Sequence, residues 1–216
     1  MSNSCTVVIN AAGTGSRLGL NLPKSLVTVA GKTLIEHQLN LLKDVEDVTI
    51  VVGFKGRELV DVIWQIRRNV LVAINHDYLN TGTAHSLSIG ARTTKSRIVS
   101  LDGDLLVEAK DFKQILDKSE DYLGLSPRKS KLPVLANVKN NSVLDLSFDI
   151  DTNLEWTGLM NIENIKARQI GSNHVFEGLK RYLPIKAINI NCFEIDEAQD
   201  ISEAEIWFRN LKDSHE

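Results

Sequence analysis

The first hundred residues alternate between two apolar periods. Residues 6–9 form a β-branched run that predicts a buried strand, and 48–52 and 70–74 repeat the pattern. Between them, Leu34, Ile35, Gln38, Leu39, Leu41 and Leu42 follow Gly31-Lys32-Thr33 at a spacing that makes one helical face. Leu59, Val60, Ile63 and Ile66 do the same within 56–67. Residues 97–101 predict a fourth strand and 109–117 a short helix with Phe112, Ile115 and Leu116 inward. Strands alternating with helices, without a hairpin signal, imply right-handed crossovers and a parallel sheet, whose ligands sit beyond the strands' carboxyl ends.

After residue 118 the pattern changes. Segments at 122–125, 134–138 and 143–148 alternate apolar with polar, separated by turn residues such as Pro127, Asn140 and Asn141, and predict antiparallel strands. Helices are expected at 162–167 and at 174–183, the second stopped by Pro184, then a last strand at 187–193. A terminal helix runs through Ile201, Ala204, Trp207, Phe208 and Leu211, with Asp200 as its N-cap. The expectation is a single α/β domain, 1–216, with a Rossmann-like, mostly parallel sheet, flanking helices and a small antiparallel extension. Its first half is 1–118 and its second half 119–216.

Composition narrows the class. The 216 residues are 43% hydrophobic and 25% charged, ordinary for a globular protein. A net charge of -3 argues against a general nucleic-acid surface. Cys5 and Cys192 stand far apart, which favours buried free thiols in a reducing compartment. Met1-Ser2-Asn3-Ser4 has no basic leader, and no apolar run reaches the roughly 20 residues needed to span a bilayer. A cytoplasmic protein with no membrane partner is expected.

The chemistry concentrates where the first strand ends. Ala11-Ala12-Gly13-Thr14-Gly15-Ser16 lets the backbone approach a ligand, and consecutive N–H groups in such a loop favour an anion. Arg17 and Lys24 follow, the lysine behind Pro23, whose fixed φ stiffens the segment. A nest with two cations suggests a nucleoside triphosphate. A dinucleotide loop of an NAD(P)-binding oxidoreductase would want an acidic residue at the tip of the second strand, where Gly53-Phe54-Lys55 stands instead. Further on, Gly82 permits close backbone approach and Thr83 can cap a helix running to about Ala91. Asp102-Gly103-Asp104 ends the fourth strand, offering the hard oxygen ligand that Mg²⁺ needs beside phosphates.

Ala11-Ala12-Gly13-x-Gly15-x-Arg17, then Pro23-Lys24 and Ser25-Leu26-Val27-x-Val29-x-Gly31-Lys32, resembles the nucleotidylyltransferases that activate sugar phosphates and phosphorylated alcohols. The resemblance implies a fold of the nucleotide-diphospho-sugar transferase type. It implies that the glycine loop covers the nucleotide, that Arg17 holds the leaving pyrophosphate and that Lys24 contacts the reacting phosphates. It selects Asp104 as a metal ligand and leaves Asp102 to orient neighbours or the ribose. Asn80, Gly82 and Thr83 lie in the segment that reads base and ribose in the family, and Gly82-Thr83-Ala84-His85 looks like its uridylyl version. Residues 119–216 imply the acceptor side, with Glu155, Thr157 and Gly158 similar to the acceptor-contacting segment. Glu194-Ile195-Asp196 resembles the closing motif, making Asp196 the second metal ligand. The implied reaction moves NMP from CTP or UTP to a phosphorylated sugar or alcohol, for a surface-polymer or lipid precursor. The competing reading is a non-catalytic nucleotide sensor on the same fold, against which the intact Arg17, Lys24, Asp104 and Asp196 speak.

Overall fold

A computed structural model describes residues 5–213, so Met1-Ser2-Asn3-Ser4 lie outside the described residues. The first half contains β1 (Cys5–Ala11), a small hairpin of β2 (Thr28–Val29) and β3 (Lys32–Thr33), α1 (Leu34–Leu41), β4 (Val48–Val52), α2 (Gly56–Ile66), β5 (Leu71–Ile74), α3 (Thr83–Gly90), β6 (Arg97–Asp102), β7 (Leu105–Val107) and α4 (Ala109–Leu116). The second half contains β8 (Tyr122–Pro127), β9 (Leu135–Lys139), β10 (Ser142–Ser147), β11 (Leu154–Glu163), α5 (Asn164–Arg168), α6 (Val175–Leu179), β12 (Ile185–Asn189), β13 (Cys192–Glu194) and α7 (Ala198–Asp213).

Val7, Val8 and Ile9 are wholly buried, as a strand covered by helices on both faces requires. Thr33 caps α1 by accepting from the Glu36 N–H. The cap of α3 is Gly82, with Thr83 already helical and no side chain closing the turn. Thr83 therefore does not serve as the expected cap. α3 lies tight against the sheet, since a Cβ on Gly90 would come within 2.4 Å of Val8. Cys5 and Cys192 are buried and free, and burial pushes the Cys192 thiol up to about 12.

Nine strands form one sheet in the order β5-β4-β1-β6-β11-β8-β12-β10-β9. β5, β4, β1 and β6 are parallel, as expected. The remainder corrects the expectation of a mostly parallel sheet with a small extension. β11 enters antiparallel between β6 and β8, and β10 runs antiparallel to β12 and β9. β9 also reaches β11 through Leu135 and Glu155, so this half closes on itself into a mixed barrel. The cause is β11, ten residues long, in which the register shifts between Trp156 and Met160 around a Gly158 at φ +81°. That bulge breaks the period-2 signal. Residues 162–163 are consequently strand, and the helix expected at 162–167 begins only at Asn164.

The strand expected at 187–193 is two strands in two sheets. β12 ends at Asn189, and β13 pairs with β7 instead. Asn191 anchors the break: its N–H donates to Asp111, its side-chain Nδ2 donates to Glu108, and its side-chain Oδ1 accepts from Trp207 Nε1. The helix expected at 174–183 is α6 followed by a 3₁₀ turn over Lys180–Tyr182. Among the described residues, no helix is long and apolar enough to cross a membrane.

Candidate active site

The loop after β1 is shaped by its own backbone. Gly15 sits at φ +59°, and a Cβ there would come 3.0 Å from Lys24 Cγ. The glycine thus lets the lysine stem pass beneath the loop. Ala12 lies off the cavity wall, its carbonyl accepting from Phe54 N–H. Ala11, Gly13, Thr14 and Gly15 line a cavity of about 400 Å³, together with Lys24, Asp102 and Asp104.

Lys24 is the junction of the site. Its Nζ lies 2.7 Å from Asp104 Oδ2 and 2.5 Å from Asp196 Oδ1. Arg17 Nη1 holds the other oxygen of Asp196 at 2.8 Å. Burial opposes the charge on Lys24, but Asp104 and then Asp196 outweigh it and hold its pKa well above the usual lysine range. Asp196 is delivered by the segment after β13, where Asp200 Oδ2 accepts from both the Asp196 and Glu197 N–H groups at 2.7 Å. Asp200 does this from within the first turn of α7, not from the N-cap position.

A third carboxylate joins the pair. One oxygen each of Asp104, Glu194 and Asp196 lies within 4.8 Å of the others. Glu194 opens onto the cavity, yet the surrounding protein and the charges of Asp104 and Asp196 raise its carboxyl to about 8. Three converging carboxylates form an oxygen donor set suited to a hard divalent cation. Sequence reasoning missed Glu194. Its signal was available: Glu194 and Asp196 flank the wholly buried Ile195, so in extended chain both face away from the core.

Asp102 is set behind this cluster. Burial, then Asp104, raises it to about 7, against a hydrogen bond from Asn10 Nδ2 at 3.1 Å and the charge of Lys24. Gly158 makes room for it, since a Cβ there would fall 2.4 Å from Asp102 Oδ2. Asn10, Ser25 and His174 also line the cavity and were not singled out in the sequence.

At the far end, Thr83 lines the cavity while Asn80 does not; its amide donates to Asp77. Gly82 is packed against residues 172–173 of the second half. A second cavity of about 380 Å³ adjoins the first and shares Arg17, Glu194 and Asp196 with it. Glu155, Trp156 and Thr157 are in its wall. Glu155 is buried and accepts from the Ser130 N–H and hydroxyl, each at 3.1 Å. Thr157 Oγ1 donates to Gly124 O, and Trp156 Nε1 to Leu159 O. A wider apolar groove between α1 and α7 shares none of these groups.

Residues 7–141 match the model of the MobA-like NTP transferase domain. The chain belongs to that family. It is 27% identical over 191 residues to the bifunctional protein GlmU of Methanococcus vannielii, covering 82% of this chain and 43% of that protein. With GlmU of Psychrobacter cryohalolentis it shares 31% over 130 residues, covering 58% and 28%. The chain thus spans less than half the length of these curated relatives. Among solved structures, it is similar to the inositol-1-phosphate CTP transferase from T. maritima, with TM-score 0.76, 21% identity and 93% and 92% of the two chains covered. It is equally similar to the CTP:phosphocholine cytidylyltransferase from Streptococcus pneumoniae, with TM-score 0.76, 22% identity and 94% and 99% covered. These likenesses confirm the α/β nucleotide-diphospho-sugar transferase fold. The family makes the chain a nucleotidyltransferase.

Proposed function

We propose that this nucleotidyltransferase moves NMP from CTP or UTP to a phosphorylated sugar or alcohol and releases pyrophosphate. The observation that carries the reading is the junction of Lys24 with Asp104 and Asp196, at the point where the glycine-loop cavity meets the second cavity. Residues 1–118 bind the nucleotide in this reading, through Ala11, Gly13, Thr14, Gly15, Thr83 and Asp102, which line the cavity. Residues 119–216 face the acceptor, through Glu155, Thr157 and Gly158, and supply Asp196. Two structural relatives are named for CTP and for phosphorylated alcohols, which supports the pyrimidine donor. Nucleoside triphosphates are cytoplasmic substrates, so a cytoplasmic location belongs to the same reading.

An acceptor phosphate oxygen attacks the α-phosphorus in line; a P–O bond forms as the bond to pyrophosphate breaks. The attacking phosphate is already an anion near neutral pH, so no side chain needs to remove a proton. The work is positioning and charge neutralisation. Asp104 and Asp196, with Glu194, would hold Mg²⁺, which when bound supplies positive charge to the phosphates. Lys24, in the wall of the first cavity, would neutralise the oxygens at the α-phosphorus, and Arg17, in the walls of both cavities, would stabilise the departing pyrophosphate. The test is pyrophosphate release from each of the four NTPs against a panel of sugar and alcohol phosphates, with and without Mg²⁺. Release that depends on one acceptor and on Mg²⁺ is expected; its absence across the panel overturns the reading.

A further inference from the structure

The end of the cavity beyond the glycine loop is built jointly by two distant segments. Gly82 N–H donates to Ser172 O at 2.8 Å, and Ala84 N–H donates to Asn173 O at 3.1 Å. A Cβ on Gly82 would lie 2.2 Å from Asn173 O, so the absence of a side chain lets the two backbones meet. Both amides are thereby occupied within the chain and have no proton left to offer a nucleobase.

The next residue along the strap, His174, is exposed, and it lines the same cavity as Thr83. Its ring is braced by Phe148, edge-on at 6.2 Å, and by Phe176 at 5.7 Å. Those two rings meet each other at 5.1 Å. An imidazole held this way presents a fixed polar edge, with a donor at one ring nitrogen and an acceptor at the other in the neutral form. With the neighbouring amides occupied, it is the side chain at this end best equipped to hydrogen-bond a base.

We propose that His174 is a specificity-determining residue for the nucleotide, hydrogen-bonding the polar edge of the base; this rests on the nucleotidyl-transfer reading above. A polar group built to meet a substrate's donors and acceptors discriminates more strongly than shape alone, because a mismatched base leaves it unpaired. The base is then read from the second half of the chain, while its phosphates are held by the first.

The test is calorimetric binding to the full chain in the presence of Mg²⁺, with CTP, UTP, ATP, GTP and inorganic tripolyphosphate as probes. In His174→Ala, affinity for the best of the four NTPs should fall about 10-fold or more. The ratio between best and worst NTP should narrow, and tripolyphosphate should bind as it does to the wild type. His174→Gln, which keeps a donor and an acceptor, should recover most of the loss. Unchanged NTP ratios in His174→Ala overturn the proposal, as does an equal loss for tripolyphosphate, which would report damage to the phosphate end. A wild-type protein that binds no NTP overturns the nucleotidyl-transfer reading itself, an outcome distinct from wild-type binding that His174→Ala leaves unaltered.

Discussion

Lys24 reaches both Asp104 and Asp196 from a segment stiffened by Pro23 at φ -54°, and those carboxylates keep its ammonium charged. Replacing it with alanine removes the ammonium that Asp104 and Asp196 share and leaves Arg17 on Asp196 as the remaining cation of the cluster. Lys24→Ala and Arg17→Ala should each lower kcat by about 10²-fold or more, measured as pyrophosphate release at saturating substrates. A rise in KM with kcat intact would instead mean that the two cations only hold the ground state. The carboxylates make a separate prediction. Asp104→Asn and Asp196→Asn should abolish turnover while the fold persists, and Glu194→Gln should shift the Mg²⁺ titration of activity to higher concentration. Wild-type rates at limiting Mg²⁺ in either asparagine variant would refute the shared site. Lys24, Arg17 and Asp104 were legible in the sequence because each sits beside a local signal: a glycine loop, a proline, the end of an apolar run. Glu194 was passed over because its role depends on where Asp104 lies, far away in the chain.

The two halves of the sheet are tied together where β6, β8, β11 and α5 converge on Asp121. Its Oδ1 accepts from Arg97 Nη2 and from Glu163 N–H, each at 3.0 Å, and its Oδ2 accepts from Lys166 Nζ at 2.5 Å. Burial alone would raise this carboxyl, but the bonds from Lys166, Arg97 and Glu163 outweigh it and hold its pKa below the usual range. A depressed folded value means the carboxylate contributes stability that is fully present above about pH 4 and is lost as pH falls through the folded value. Asp121→Asn should therefore destabilise the fold at pH 7 by on the order of 2–4 kcal/mol, since it removes one partner of a largely buried network. The gap between variant and wild type in urea unfolding should shrink towards pH 3; a gap independent of pH would contradict the assignment. Elements with one uninterrupted period, such as β1, β4 and α2, were legible from the sequence nearly to the residue. β11 was not, because the bulge at Gly158 that accommodates Asp102 also erases the alternation by which a strand is recognised.

Across the whole molecule, both cavities are lined by residues of the parallel half and of the half that closes through β9 and β11. The strap of residues 172–174 meets residues 82–84 where Thr83 and His174 line the glycine-loop cavity. CTP or UTP should be the best donor, preferred over ATP and GTP by roughly 10–200-fold if the pocket's size alone excludes the purine. A competition among the four NTPs at equal concentration measures this, and a purine winner would refute the pyrimidine assignment without touching the transfer chemistry. By itself the sequence determined the order of β1, α1, β4, α2, β5, α3, β6 and α4, though not the short strands β2, β3 and β7, and it showed the glycine loop and the two cations behind it, because periodicity, turn chemistry and proline stiffening act over a few neighbouring residues. Tertiary structure alone decided how the sheet closes, that Glu194 joins the two aspartates, and that Gly82 meets the backbone of Asn173. The contacts responsible span 80 residues between Lys24 and Asp104 and 179 between Arg17 and Asp196. At such separations no local pattern registers the partner, and the pairing exists only once the packing of β6, β13 and α7 has brought the side chains together.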